Sequence, residues 1–193
     1  MAKMYFFYSC MNAGKSTLLL QSYHNYMSRG MKPMIFSPQI DDRNGVGVIS
    51  SRVGISAKAN IVKEKTNFLK VIKKKQNDVN CIFIDEAQFL KPKQIYQLSK
   101  LADDFNIPVL FYGLRTDFKG KPFKASSILL SICDTLEEVK TICWCGKKAT
   151  MSLKVDKHGN AVKSGDTIDI GGDDKYFSVC RKHWKNGKHT KNN

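Results

Sequence analysis

Three groups of residues in this chain could do chemistry by type and spacing. The first is Ser9-Cys10-Met11-Asn12-Ala13-Gly14-Lys15-Ser16, whose last three residues close the phosphate-binding pattern G-x-x-x-x-G-K-[ST]. Backbone N–H groups at a helix start attract anions, Lys15 can reach β- and γ-phosphates, and the Ser16 hydroxyl suits Mg²⁺. Ser9 stands where the pattern opens with glycine. That position only begins the turn, so a small residue is admitted if its backbone stays in an allowed region, whereas a side chain at position 14 would obstruct the phosphate. A simple helix-capping turn could also read Ala-Gly-Lys-Ser, but an apolar run before the loop and a helical pattern after it are the context a phosphate loop needs.

The second group is Asp85 and Glu86, which follow the apolar run Cys81-Ile82-Phe83-Ile84. A carboxylate ending a buried strand is the usual partner of a phosphate loop. Asp85 is expected to hold Mg²⁺ through water, and Glu86, alternating to the other side, to face a substrate. Two adjacent acids with different roles suit phosphoryl transfer to a hydroxyl. Both would also be favoured at a helix start by the dipole, but the loop upstream favours the chemical reading.

The third group is Cys143, Cys145, Cys180 and His183. Two knuckles, C-x-C and C-x-x-H, offer four ligands of the kind tetrahedral Zn²⁺ takes, and Gly146 eases the first turn. With four protein ligands no position is left for water, so the expected metal is structural. Cys10, Cys81 and Cys133 are scattered through apolar or loop sequence and do not form a disulfide framework. His24 and His158 read as surface residues, and His189 carries no signal.

Positioning these groups requires a particular order of elements. Residues 4–8 read as a buried strand, 14–28 as the following helix closed by Gly30, and 34–37, 80–85 and 107–113 as further strands, with helices near 66–76 and 92–104. Strands alternating with helices predict an α/β fold with a mostly parallel sheet. Residues 40–60 are rich in Gly, Ser and Asn without periodicity and read as a long functional or mobile loop. After residue 141 the pattern changes to cysteines and short alternating runs, which predicts two units: a nucleotide-binding domain over 1–140, and a small β-rich zinc lobe with a basic tail over 141–193.

The chain has 193 residues, 42% of them hydrophobic, and a formal charge of +15. That size supports a real core. No apolar run approaches the roughly 18 residues that cross a bilayer and no leader pattern is present, which predicts a cytosolic protein without a membrane partner. The charge would suit either a nucleic-acid binder or an enzyme of polyanionic substrates. Its basic stretches, 70–76 and 181–193, lack the interleaved aromatics of a single-strand-binding surface and read as a solvated helix face and a frayed tail. A zinc-ribbon ATPase acting on nucleic acid would need a longer chain, so no nucleic-acid partner is expected.

The segments MNAGKS, DEAQF, YGLRTDFKGKPF, C-x-C-G and IGGDDKYFSVCRKH, in this order and spacing, resemble the type II thymidine kinases over about residues 4–184. In that family small residues other than glycine open the loop, with Met two positions later as Met11 is here, so Ser9 is a family-type variation. The resemblance implies a RecA-like phosphate-loop fold whose zinc lobe carries a lasso-like substrate loop, here about 152–178. It implies transfer of the γ-phosphate of ATP to the 5′-hydroxyl of thymidine, with Mg²⁺ and structural zinc. Residues 9–16 would bind the triphosphate, with Asp41, Asp42 and Arg43 nearby. Glu86 would be the general base, Lys15 its catalytic companion, Asp85 and Ser16 the Mg²⁺ holders, and Ala87 and Gln88 their neighbours at the nucleotide. Phe118 would pack on thymine, Leu114 and Phe123 would line the pocket, Tyr176 would bond near sugar and base, and Thr167, Ile168, Asp169, Ile170 and Gly171 would meet the base through main chain. The resemblance further implies dTTP as a feedback inhibitor and a homotetramer or dimer. His183, where animal members tend to have Cys, and the lack of their long C-terminal extension imply a microbial or viral source.

Overall fold

The computed structural model describes residues 1–42, 45–74, 79–166 and 175–190. Its centre is a six-stranded, all-parallel sheet made of β1 (Met4–Ser9), β2 (Pro33–Pro38), β5 (Asn60–Val62), β6 (Cys81–Ile84), β7 (Val109–Leu114) and β8 (Thr135–Glu138) in the order β5-β2-β6-β7-β1-β8. Helix-length crossovers are what parallel neighbours require. They are α1 (Lys15–Ser28), α2 (Phe68–Lys73), α3 (Pro92–Phe105) and α4 (Lys124–Ile132).

Successive strand residues point to opposite faces, and both faces of this sheet are apolar. Phe6, Met34, Phe36, Ile82, Ile84 and Phe111 pack on one side with Phe68 and Ile72 of α2, Ile95, Leu98 and Leu101 of α3, and Leu129 of α4. Ile35, Cys81, Phe83, Leu110 and Tyr112 pack on the other with Leu19 and Leu20 of α1. One helix cannot cover that second face alone. The hairpin of β3 (Val48–Ser50) and β4 (Ser56–Lys58) covers the rest, inserting Ile49, which is only 3% exposed.

Much of the segment expected to be a long loop is therefore hairpin and edge strand. It shows no period because Ile49 is its one buried hydrophobic residue, and its turns use Gly47 and Gly54 at positive φ. Helix α2 is shorter than the sequence suggests, and residues 75–78 lie outside those described.

After β8 come the β9–β10 hairpin (Thr141–Ile142 and Lys148–Ala149), a small antiparallel sheet of β11 (Met151–Val155), β12 (Ala161–Val162) and β13 (Tyr176–Val179), and α5 (Arg181–Asn186). The start of the basic tail is thus helical rather than frayed. Gly187 ends α5 at φ 69°, and the His189 ring packs on Phe177 with centroids 4.6 Å apart. Cys10 joins the cluster formed here by Cys143, Met151, Leu153, Val179 and Cys180, which seats this region against the phosphate loop. Among the described residues no helix is long and apolar enough to cross a membrane.

Candidate active site

The phosphate-loop segment leaves β1 at Ser9 and enters α1 at Lys15. Ser9 is an ordinary strand residue, outside the positive-φ set, and its hydroxyl donates to the Val139 carbonyl at 2.6 Å. No glycine is needed there, and the serine ties the loop's opening to the segment beyond β8. Gly14 sits at φ 83°, ψ 18°, and a methyl added to it would meet nothing within 4 Å of protein. Its glycine is required by the left-handed backbone rather than by crowding from the protein.

The loop is held from the far end of the chain. The Met11 N–H donates to the Ser152 hydroxyl at 3.0 Å, the Ser178 hydroxyl donates to the Met11 carbonyl, and Asn12 Nδ2 donates to the Tyr176 carbonyl at 3.2 Å. Asn12 itself has φ 62°, so these bonds hold a turn that a side-chain-bearing residue adopts at some cost. Lys15, 8% exposed, donates from Nζ to the Cys10 carbonyl at 2.8 Å, across the mouth of the loop.

Ser16 Oγ donates to Asp85 Oδ2 at 3.1 Å, so the start of α1 and the end of β6 meet as the sequence predicted. Asp85 is 3% exposed, and its carboxyl is pushed up to about 7, first by burial and then by the neighbouring Glu86, with Asp41 adding a smaller push. Asp41 is thereby brought into the field of the site. Asp42 accepts at its carbonyl from the Gly45 N–H, and Arg43 lies outside the described residues. Two adjacent carboxylates with a hydroxyl beside one of them form an oxygen donor set that fits a hard divalent cation.

Glu86 does not continue the strand's alternation. It turns the chain with φ 44° and ψ 43° and opens a 3₁₀ turn over Ala87–Phe89. Its Oε2 accepts from Gln88 Nε2, while Gln88 Oε1 accepts from the Leu114 N–H at 2.9 Å. Leu114 in turn accepts at its carbonyl from Ser126 Oγ at 2.5 Å. Phe89, which the sequence did not single out, lies in this turn. A 3₁₀ turn places residues three apart on one side, and the Phe89 ring meets Phe123 edge-on at 6.1 Å. The three-residue spacing from Glu86 was the available signal.

Phe118 and Tyr176 meet at 6.5 Å and 62°, both buried, with Lys154 Nζ 4.9 Å from the Phe118 ring centroid. The Asn12 bond to Tyr176 places this pair beside the phosphate loop. Thr167, Ile168, Asp169, Ile170 and Gly171 lie outside the described residues. The structure thus gathers the predicted loop, the acids and the aromatic residues at the C-terminal ends of the parallel strands, where open α/β sheets bind ligands.

The ligand atoms of Cys143, Cys145, Cys180 and His183 all lie within 4.8 Å of one another. Gly146, at φ 82°, turns the first knuckle, and its N–H donates to the Cys143 carbonyl. The Lys147 N–H holds the Cys145 thiol below its ordinary range, whereas burial raises that of Cys143. Three thiols and an imidazole this close fit one thiophilic divalent ion with four protein ligands. From the second knuckle, the Trp184 Nε1–H reaches the Phe118 carbonyl at 2.8 Å, and Trp144 stacks on His183 at 4.2 Å.

A family model described as thymidine kinase matches residues 2–184. The thymidine kinase of Vibrio vulnificus (strain YJ016) is 55% identical over 188 residues, 96% of this chain and 97% of that one. That of Vibrio cholerae serotype O1 is 55% identical over 187 residues with the same shares, and that of Coxiella burnetii is 48% identical over 193 residues, 98% of each chain.

Proposed function

From the premise that the chain belongs to the thymidine kinase family, we propose that it transfers the γ-phosphate of ATP to the 5′-hydroxyl of thymidine, giving thymidine monophosphate and ADP. The observation that carries the site assignment is the Ser16–Asp85 bond, which joins the phosphate loop to the strand-end carboxylate with Glu86 adjacent. Residues 9–16 cradle the triphosphate, with Asp41, Asp42 and Arg43 nearby. Lys15 leaves the Cys10 carbonyl for the β- and γ-phosphates, where its charge offsets that developing in transfer. Ser16 and Asp85 hold Mg²⁺, which supplies positive charge to the phosphates when bound. Glu86 takes the proton of the 5′-hydroxyl as that oxygen forms its bond to the γ-phosphorus and the bond to the ADP oxygen breaks.

Phe118, Phe89, Phe123 and Leu114 supply apolar walls for the nucleoside, and Tyr176 a hydroxyl. The resemblance assigns residues 167–171 to main-chain contacts with the base. Cys143, Cys145, Cys180 and His183 hold structural zinc. The end product dTTP carries both a nucleoside and a triphosphate, so it can fill the pocket and the loop at once and inhibit. The assembly is a homotetramer or dimer.

The test is transfer from γ-labelled ATP with Mg²⁺, offering thymidine, deoxycytidine and single-stranded DNA separately. Labelled nucleotide is expected with thymidine alone, and release of free phosphate only with DNA would overturn the reading. Glu86→Gln is expected to lose on the order of 10²-fold in kcat, the range of a general base. Parental turnover in that variant would remove Glu86 from the role.

A further inference from the structure

We infer that Gln88 is a positioning residue that aims the Glu86 carboxylate, and that position 113 is glycine because the Gln88 amide occupies the space a side chain would need. The inference rests on the reading of Glu86 as the base. Gln88 is 4% exposed, and its amide spans two fixed groups. At one end Nε2 donates to Glu86 Oε2, and at the other Oε1 accepts from the Leu114 N–H at 2.9 Å. The amide cannot be turned over without setting two donors face to face and two acceptors face to face, so both ends fix one orientation.

Leu114 is the last residue of β7, in register with Ser9 at the end of β1. Its carbonyl is fixed by Ser126. The acceptor end of Gln88 is therefore anchored to the sheet itself, and the donor end carries that anchorage to the carboxylate. Glu86 needs such a hold. It sits at φ 44°, in the left-handed region that side-chain-bearing residues occupy at a cost, at a bend between strand and 3₁₀ turn.

Gly113 corroborates this independently. It is absent from the positive-φ set, so its backbone conformation does not demand glycine. A Cβ there would lie 2.8 Å from Gln88 Oε1, with the Gln88 and Ala87 nitrogens at 3.2 and 3.3 Å. A methyl group would displace the amide oxygen from the Leu114 N–H and with it the donor facing Glu86. Through-space reach to the base from the next-to-last residue of a sheet strand is not a feature that its sequence advertises.

The experiment compares purified Gln88→Ala, Gln88→Met, Gly113→Ala and Glu86→Gln with the parent, alone and in pairs, reading kcat, both KM values and thermal midpoints. Misaiming a base by a fraction of an ångström to an ångström is expected to lower kcat roughly 10- to 100-fold, with both KM values within about twofold. Gly113→Ala should produce a similar loss in the parent and a much smaller one on Gln88→Ala, because the oxygen at 2.8 Å is gone and only the Gln88 and Ala87 backbone nitrogens at 3.2 and 3.3 Å remain. Gln88→Ala should likewise add nothing to Glu86→Gln. Gln88→Met, which refills the buried volume, keeps the test available if the alanine variant melts early.

Parental kcat in folded Gln88 variants, or a Gly113→Ala loss that multiplies independently, would overturn the positioning role while an impaired Glu86→Gln left the base assignment standing. Parental kcat in Glu86→Gln would overturn both.

Discussion

Ser16 and Asp85 are 69 residues apart in sequence and share a hydrogen bond of 3.1 Å. It joins the first residues of α1 to the end of β6, across a sheet in which β7 and β1 lie to one side of β6. The buried carboxyl it reaches is raised to about 7, chiefly by burial and the Glu86 charge.

That shift has a definite sign. An acid whose folded pKa exceeds its unfolded value near 3.9 stabilises the fold below that value and loses the stabilisation as pH rises through about 7. Without divalent cation, Asp85→Asn should therefore melt higher than the parent at pH 8, by roughly 5 °C or more, and the gap should shrink toward pH 5. Added Mg²⁺ should raise the parent and not the variant. Calorimetry over pH 5–8 checks this, and a gap independent of pH would contradict it.

Lys15 spans the loop to the Cys10 carbonyl. Lys15→Met removes the charge and keeps the stem, so its thermal midpoint should stay within about 2 °C of the parent while kcat/KM for ATP falls by ~10² or more. Steady-state kinetics beside a melting curve separates this from a general folding defect.

Metal removal should be felt at the nucleoside, because Trp184 on the second knuckle donates to the Phe118 carbonyl. Stripping the Cys143–Cys145–Cys180–His183 site with a chelator should raise the KM for thymidine on the order of tenfold, change the fluorescence of both tryptophans, and leave the KM for ATP less affected. Elemental determination should find one zinc per chain before chelation.

The thiols of Cys81 and Cys133 are both pushed up to about 12 by burial. At pH 8 a thiolate population of about one in ten thousand makes each nearly inert to alkylation in the native protein. Iodoacetamide followed by peptide mass spectrometry should leave both unmodified until denaturant is added. These raised thiols, Cys81 buried and Cys133 half-buried, also predict a loss of stability as pH rises past about 9, where the unfolded thiols ionise and the folded ones resist.

What the sequence made legible was chemistry with a short pattern. The loop at 9–16, the acids at 85 and 86 and the two knuckles were readable because ligand geometry fixes spacing and residue type. The hairpin around Ile49 was not, since one buried residue gives no period. Nor was β8, Thr135–Glu138, whose short polar run pairs on one side only and leaves Leu136 46% exposed. Helix α4 was hidden by its serines, of which Ser126 turns inward to cap the Leu114 carbonyl. Glu86 could be singled out as an acid beside the strand end, but its left-handed turn and its amide partner depend on β7, which no local window contains.

The bonds that hold Met11 come from Ser152 and Ser178, 141 and 167 residues further along the chain. During synthesis the 9–16 segment thus emerges first, and its Met11 turn lacks these two bonds until Ser178 has left the ribosome. A nascent or truncated chain ending before residue 178 should contain the whole motif and still be a poor ATP binder.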